Sequence, residues 1–160
     1  SKLFSMAGWR IGWILAHPSM LRRINAFRKF LITCAPTISQ RMAIRFFKGG
    51  GREIRDKILS ILDNRRKLMI DTMRQKGLNA FQEPIAGYYL FFNYQAHLQN
   101  AISSNEFALR LSRNHGVAVM PGGLFGNDGE GFIRISFAAD EKSIQEGIQK
   151  IKETIDELCL

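Results

Sequence analysis

Cysteine is scarce in this sequence: Cys34 and Cys159 are the only two among 160 residues, and they lie far apart. They form no C-x-x-C pair, so the sequence predicts neither a zinc site of that kind nor a disulfide framework. The three histidines also lack the spacing of metal ligands, and we predict no metal site. Free thiols are typical of proteins in a reducing compartment, which predicts a cytoplasmic location.

Long apolar stretches are missing as well. No stretch reaches the roughly 18 apolar residues that a helix needs to cross a bilayer, so we predict no membrane partner. Hydrophobic residues nevertheless make up 46% of the chain and charged residues 23%, which is typical of a globular protein.

Acidic side chains are few relative to basic ones: 14 against 23, for a formal net charge of +9. Such a balance favours binding to nucleic acid or to an anionic surface, and it is equally expected of a chain whose acidic part lies elsewhere. No nucleic-acid-binding motif accompanies the charge, so we predict no nucleic acid partner. A non-catalytic basic binding module remains an alternative function.

The first third of the chain predicts a strand and two helices. Residues 9–16, WRIGWILA, have the apolar composition of a short buried strand. Ser19 is predicted to cap a helix that ends near residue 33, and a second helix is predicted from Thr37 to Phe47. Residues 1–48 show no complete core of their own. The glycines at 49–51 predict a hinge.

Beyond these glycines the pattern predicts a small α+β domain. Residues 52–77 form a long amphipathic pattern that ends at a C-cap glycine, Gly77. Two further helices are predicted to begin at the capping residues Ser103 and Asp140. The second of them is predicted to have an apolar stripe with spacings of three and four residues: Ile144, Ile148, Ile151, Ile155 and Leu158. Strands are predicted at 87–94, 117–123 and 131–138. The order α, β, α, β, β, α is typical of helices packed on one face of a sheet.

Lys2 and Arg10 suggest a site for a phosphorylated carbonyl compound. A lysine in a desolvated pocket loses its proton more easily, and the neutral amine can attack a carbonyl. An arginine is a permanently charged fork that suits a phosphate. Pairs of these residue types are also common on solvated surfaces.

A second candidate site is the segment GGLFGNDGEGFIRISFA. Alternation along its strand predicts that Phe132, Arg134 and Ser136 share the face opposite to Ile133 and Ile135. Arg134 could lie along the sheet surface with its charge in water, or it could bind a substrate carboxylate with two hydrogen bonds. The glycines before the strand allow tight turns near a ligand, but no G-K-[ST] follows, so this is not a P-loop.

Three blocks of the sequence together resemble the class I/II aminotransferases, which are fold-type I pyridoxal-phosphate enzymes. SK-x-F-x-M-x-G-W-R-I-G-W resembles the block of that family that contains its cofactor lysine and an arginine. EPIAGYYLF resembles its P-x-G-G-x-Y/F-x-F entry to a strand. VAVMPGGLFGNDGEGFIRISFA resembles its V-x-V-x-P-G-x-x-F-G…G-x-x-R-I-S-F-A block, and the resemblance covers essentially the whole chain.

The resemblance implies roles for individual residues. Lys2 would be the catalytic residue that carries pyridoxal 5′-phosphate covalently and moves a proton during transamination between an α-amino acid and a 2-oxo acid. Arg10 would bind the cofactor phosphate, and Arg134 the substrate α-carboxylate. Gly87, Tyr88 and Phe125 match family positions near the small-domain side of the site, and Tyr88 would contribute to substrate binding. The same fold supports lyases and synthases that act on amino acids, which remain alternatives.

The resemblance also implies a domain organisation. Residues 1–48 would be the C-terminal remnant of the large pyridoxal-phosphate domain, and residues 49–160 a hinge, an interdomain helix and the small C-terminal α/β domain. The chain would therefore be the C-terminal portion of a longer enzyme whose N-terminal half is missing. We expect the isolated chain to be inactive and the parent enzyme to be a homodimer.

Overall fold

The computed structural model describes residues 4–159, which divide into two compact units, one up to Ile61 and one from Leu62 onward. The described part contains five α-helices: α1 Pro18–Leu31, α2 Thr37–Arg45, α3 Arg52–Gln75, α4 Ser104–His115 and α5 Glu141–Cys159. Its strands are β1 Tyr89–Asn93, β2 Met120–Pro121 and β3 Phe132–Ser136. The unit boundary falls within α3, whereas the assignment of residues 1–48 and 49–160 to two domains of a longer enzyme stays a prediction.

The predicted strand at residues 9–16 is wrong. Ala7–Trp9 forms a 3-10 turn, and the residues that follow it up to His17 have no regular structure. A strand needs a neighbour for its backbone N–H and C=O groups, and the described residues of this unit contain no strand. Without that partner Leu15 is 97% exposed.

The first unit has its helices close to the predicted positions. The N-cap of α1 is His17 rather than Ser19, since Nδ1 of His17 accepts a hydrogen bond from the Ser19 N–H at 3.4 Å. Pro18 can then occupy the first helical position, where its fixed φ is favourable. After α2 the chain continues through a π-helical turn, Phe46–Gly50, in which Gly49 has a φ of 122°. That conformation is accessible to glycine and breaks the helix.

This unit has almost no core. Met6 is the only buried hydrophobic side chain among its described residues, and no residue of α1 is buried. The prediction that residues 1–48 lack a complete core is therefore confirmed.

The second unit is built on a three-stranded antiparallel sheet. Its strand order is β1-β3-β2, with Phe91 and Met120 paired to Arg134 from the two sides. The predicted strand at 117–123 is reduced to two residues. Pro121 has no N–H to donate to a longer ladder, and the chain turns at once into a 3-10 helix, Gly122–Phe125.

One face of this sheet is buried against the helices. The buried strand residues belong to the same apolar cluster as buried residues of α3, α4 and α5. The stripe predicted along the last helix is buried at all four of its isoleucines: Ile144, Ile148, Ile151 and Ile155. The predicted mixed α/β architecture is thus confirmed for this unit.

The predicted helix ends of this unit are also confirmed. Ser103 Oγ accepts a hydrogen bond from the Glu106 N–H at 3.2 Å, and Asp140 Oδ1 accepts one from the Ser143 N–H at 3.0 Å. Gly77 has a φ of 75° just after α3. No helix in the described part of the chain is long and apolar enough to cross a membrane.

Candidate functional site

Arg10 lies at the end of the turn Ala7–Trp9 in the first unit. Its backbone is left-handed, with φ 51° and ψ 48°, and one guanidinium nitrogen donates a hydrogen bond to the Ala7 carbonyl at 2.9 Å. The buried Ser39 donates its hydroxyl hydrogen to the Trp9 carbonyl at 2.7 Å, which ties the turn to α2. The turn therefore has a defined place beside the start of α2.

An open cleft of about 440 Å³ lies beside this turn. Arg10 lines it together with Ser5, Gly8 and Ser39. Residues 1–52 contain ten basic side chains and no acidic one, so no carboxylate of this segment competes for the Arg10 guanidinium. A permanent cation with donors to spare, at an open cleft, fits a phosphate group. Lys2 lies outside the described residues, so its role stays a prediction.

Arg134 lies on the central strand of the second unit, on the face opposite to the core. The guanidinium carbon is 4.1 Å from the centroid of the Tyr89 ring and 4.8 Å from that of Phe125. Ile133 and Ile135 are buried on the other face, which confirms the predicted alternation. The guanidinium is therefore held against aromatic rings rather than extended into water.

Further aromatic rings surround this position. Phe91, which is paired with Arg134 across the sheet, stacks on Phe132 with a centroid distance of 5.0 Å. Phe125 meets Phe91 edge to face at 5.9 Å. Such an apolar frame lowers the polarity around the guanidinium, which strengthens its attraction to an anion.

Within residues 4–159, the Nε–H of Arg134 has no hydrogen-bond acceptor. Its Nε is buried and makes no hydrogen bond, and among residues 4–159 no carboxylate forms an ion pair with it. A buried N–H of a charged group without an acceptor is costly. An acceptor from a ligand would satisfy it, and the planar fork of arginine matches a carboxylate with two hydrogen bonds.

The loop before β3 is closed by an unusually near approach of two glycines. A Cβ atom built on Gly122 would lie 2.1 Å from the carbonyl oxygen of Gly129. Gly126, between the two 3-10 turns Gly122–Phe125 and Asn127–Gly129, has a φ of 116°. The glycine-rich segment thus forms the tight turns that its sequence predicts, and it places Phe125 beside Arg134.

Tyr88 and Tyr89 differ in their surroundings. Tyr88 is half-buried and packs against the apolar core, with its ring centroid 4.4 Å from that of Tyr89. The tyrosine on the Arg134 guanidinium is Tyr89. Tyr89 lies opposite Ser136, on the same face of the sheet as Arg134. The contact between Tyr89 and Arg134 follows from the register of β1 against β3, which the sequence alone does not give. The substrate role of Tyr88 stays a prediction.

Glu130, like Tyr89, has contacts that no sequence motif predicts. Its carboxylate accepts hydrogen bonds from the backbone N–H and from the hydroxyl of Ser104, the first residue of α4. These two bonds hold the pKa of Glu130 below its ordinary value of 4.5, so it is ionised at neutral pH. The two residues are 26 positions apart, and local sequence patterns do not report such pairs.

Comparisons with known proteins point to one family. Residues 1–151 match the family model described as aminotransferase class I and II. The (5-formylfuran-3-yl)methyl phosphate transaminase of Methanocaldococcus jannaschii is 36% identical over 157 residues, which cover 98% of this chain and 40% of that protein. An aspartate aminotransferase of Sulfurisphaera tokodaii is 32% identical over 160 residues, or 99% of this chain and 40% of its own length.

A solved structure agrees with these matches. The aromatic aminotransferase from Pyrococcus horikoshii superimposes with a TM-score of 0.86 at 28% identity, over 97% of this chain and 40% of that one. The chain therefore spans about 40% of the length of the relatives that it matches.

Proposed function

This chain belongs to the class I and II aminotransferase family, and we propose that it is the C-terminal part of a pyridoxal-phosphate-dependent enzyme that exchanges amino groups between an α-amino acid and a 2-oxo acid. The observation that carries the proposal is Arg134, a guanidinium in an aromatic frame whose buried Nε finds no acceptor among residues 4–159. We propose further that residues 1–48 belong to a large cofactor domain and residues 49–160 to a small domain, in a cytoplasmic homodimer.

The cofactor side of the chemistry falls to Lys2 and Arg10. Pyridoxal phosphate, when bound, supplies an electrophilic carbonyl and an electron sink. Arg10, which lines the cleft, binds its phosphate through its guanidinium. The amine of Lys2 holds the cofactor and, as a general base, takes the proton from the substrate Cα.

The substrate side falls to Arg134. Its guanidinium binds the α-carboxylate, and this fixes the orientation of the amino acid at its Cα. The rings of Tyr89 and Phe125 cover part of the guanidinium, so its attraction to a carboxylate is larger than on an open surface. A free α-carboxylate is thus the one feature of the substrate that the described residues select.

The cofactor assignment can be tested by aldehyde labelling. We expect pyridoxal 5′-phosphate, trapped with borohydride, to label Lys2 in preference to the other lysines, as read by peptide mass mapping. Because Arg10 binds the phosphate, pyridoxal without phosphate should label Lys2 less, and Arg10→Gln should lower labelling by pyridoxal 5′-phosphate while leaving labelling by pyridoxal unchanged.

Arg22→Gln is the matched control for this experiment, because it removes one positive charge from the same unit at an exposed helix position. It should leave the preference for the phosphorylated aldehyde unchanged. Equal labelling of Lys2 by both aldehydes in the unaltered chain would refute the role of Arg10.

A further inference from the structure

We propose that Glu130 is a positioning residue that ties the loop Gly122–Gly129 to the start of α4 and thereby holds the Phe125 ring over the Arg134 guanidinium. This inference rests on the proposed role of Arg134 as the carboxylate-binding residue. It assigns a function to an acidic side chain that touches neither Arg134 nor the carboxylate that Arg134 would bind.

The tie consists of three hydrogen bonds that meet at Ser104. The Ser104 N–H and its hydroxyl donate to the two carboxylate oxygens of Glu130, the second at 3.0 Å. The Ser104 hydroxyl oxygen in turn accepts a hydrogen bond from the Gly123 N–H at 3.1 Å. Gly123 and Glu130 flank the loop that carries Phe125, so both ends of that loop are attached to one residue of α4.

The space around these groups is filled. Ser104 is 1% exposed, and a Cβ atom on Gly123 would lie 2.5 Å from a carboxylate oxygen of Glu130. Hydrogen bonds within the loop add to this: the Gly126 N–H donates to the Gly123 carbonyl at 3.3 Å, and the Glu130 N–H to Asn127 at 3.1 Å. Because the loop is short and bonded at both ends, a change at Glu130 is transmitted to Phe125.

Helix capping alone does not account for Glu130. A carboxylate at a helix N-terminus is favourable, and Glu130 accepts from the Ser104 N–H, which the local cap Ser103 leaves open because it accepts from the Glu106 N–H. The second bond of Glu130, from the Ser104 hydroxyl that also accepts from Gly123, is not a capping contact. Asp140 shows the ordinary case, since it caps α5 from the residue next to the helix. Glu130 instead reaches α4 from 26 residues away and binds Ser104 with charge-assisted hydrogen bonds.

The same contacts keep Glu130 from competing for the arginine. Both of its oxygens accept hydrogen bonds from Ser104, and within residues 4–159 it forms no ion pair with Arg134. The Glu130 carboxylate therefore does not neutralise the Arg134 guanidinium. Arg134 keeps its charge for a carboxylate from outside the chain.

The test compares Glu130→Gln with Asp140→Asn in the full 160-residue chain labelled with ¹⁵N, at pH 7. Both variants remove a carboxylate that accepts from the first turn of a helix, so both are expected to lower the unfolding midpoint. The chemical shift of the Arg134 Nε–H reports the positions of the Phe125 and Tyr89 rings. Titration with 3-phenylpropionate measures the affinity of the chain for a carboxylate.

We expect Glu130→Gln to shift the Arg134 Nε–H resonance and to weaken 3-phenylpropionate binding. The expected loss of affinity is about tenfold, which is the size of effect that one hydrogen bond to a charged group has. Asp140→Asn should change neither. Ser104→Ala removes the hydroxyl's bonds to Glu130 and to Gly123 and keeps the bond from the backbone N–H to Glu130. It should change both readouts in the same direction, and it tests the proposal if Glu130→Gln does not fold.

A background with Phe125→Ala separates positioning from a general structural effect. If Glu130 acts through Phe125, Glu130→Gln should weaken binding no further in that background. The same tenfold loss there, or equal shifts of the Arg134 resonance in Glu130→Gln and Asp140→Asn, would overturn the proposal. Failure of the unaltered chain to bind 3-phenylpropionate would instead refute the role of Arg134, while the resonance comparison still decides the role of Glu130.

Discussion

Replacing Phe107 with alanine is expected to lower the free energy of unfolding of the second unit by about 3–5 kcal/mol, as for other fully buried aromatic side chains. Phe107 is 0% exposed and stacks on Tyr94, with 4.1 Å between ring centroids. Tyr94 also donates its hydroxyl hydrogen to the Ile102 carbonyl at 2.6 Å. The truncation leaves a cavity beside this ring, and urea unfolding followed by circular dichroism measures the loss.

Phe125→Ala is the matched control for that variant. The same ring is removed, but Phe125 is 51% exposed, so the loss of stability should be below about 1 kcal/mol. Its effect should be found instead at Arg134, whose guanidinium it covers. Equal destabilisation by the two variants would contradict the assignment of Phe107 to the core and of Phe125 to the site.

Gly122→Ala is the second change for which we expect a large effect. Its Cβ would lie 2.1 Å from the Gly129 carbonyl oxygen and 2.6 Å from that of Phe132. Both neighbours are backbone atoms that cannot rotate away, so the loop must open. We expect a loss of at least about 2 kcal/mol in the free energy of unfolding, together with a shift of the Arg134 resonance.

The control for this substitution is Gly147→Ala on α5. A Cβ there would meet its nearest neighbour, Val117, at 3.9 Å, which is an ordinary contact. Alanine is favoured over glycine inside a helix, so this variant should gain up to about 1 kcal/mol. If Gly122→Ala leaves the free energy of unfolding unchanged, Gly122 and Gly129 do not approach each other as described.

The accuracy of the sequence-based predictions depended on how far apart the interacting residues are. The caps at Ser103 and Asp140 depend on residues three positions apart, and the isoleucine stripe of α5 on one helical period. These patterns are complete within the segment that they describe. They were predicted correctly because no distant partner is needed to satisfy them.

The errors concern segments whose structure depends on a partner. Residues 9–16 have the composition of a buried strand, but an apolar run forms a strand only when another strand pairs with it. In the candidate site, alternation correctly predicted the face of Arg134. Its contacts with Tyr89 and Phe125, and the bond between Glu130 and Ser104, join distant segments and needed the fold.

The excess of positive charge is concentrated in the first third of the chain. The ten basic residues among residues 1–52 account for the excess, because basic and acidic side chains are nearly equal in number beyond them. The same unit leaves Phe27 73% and Phe30 91% exposed on α1. Both features agree with the proposal that this segment belongs to a larger domain.

The measurement that tests the central claim most directly is titration of the ¹⁵N-labelled chain with 3-phenylpropionate, followed at the Arg134 Nε–H. Neutral 3-phenylpropionamide, which has the same shape and no charge, is the matched ligand control. We predict a saturable shift with the acid and at most a small one with the amide, and Arg134→Lys should weaken binding at least about tenfold because lysine lacks the planar fork. Equal shifts with both ligands, or shifts with the acid that map to the basic residues 1–52 and leave Arg134 unchanged, would contradict the account.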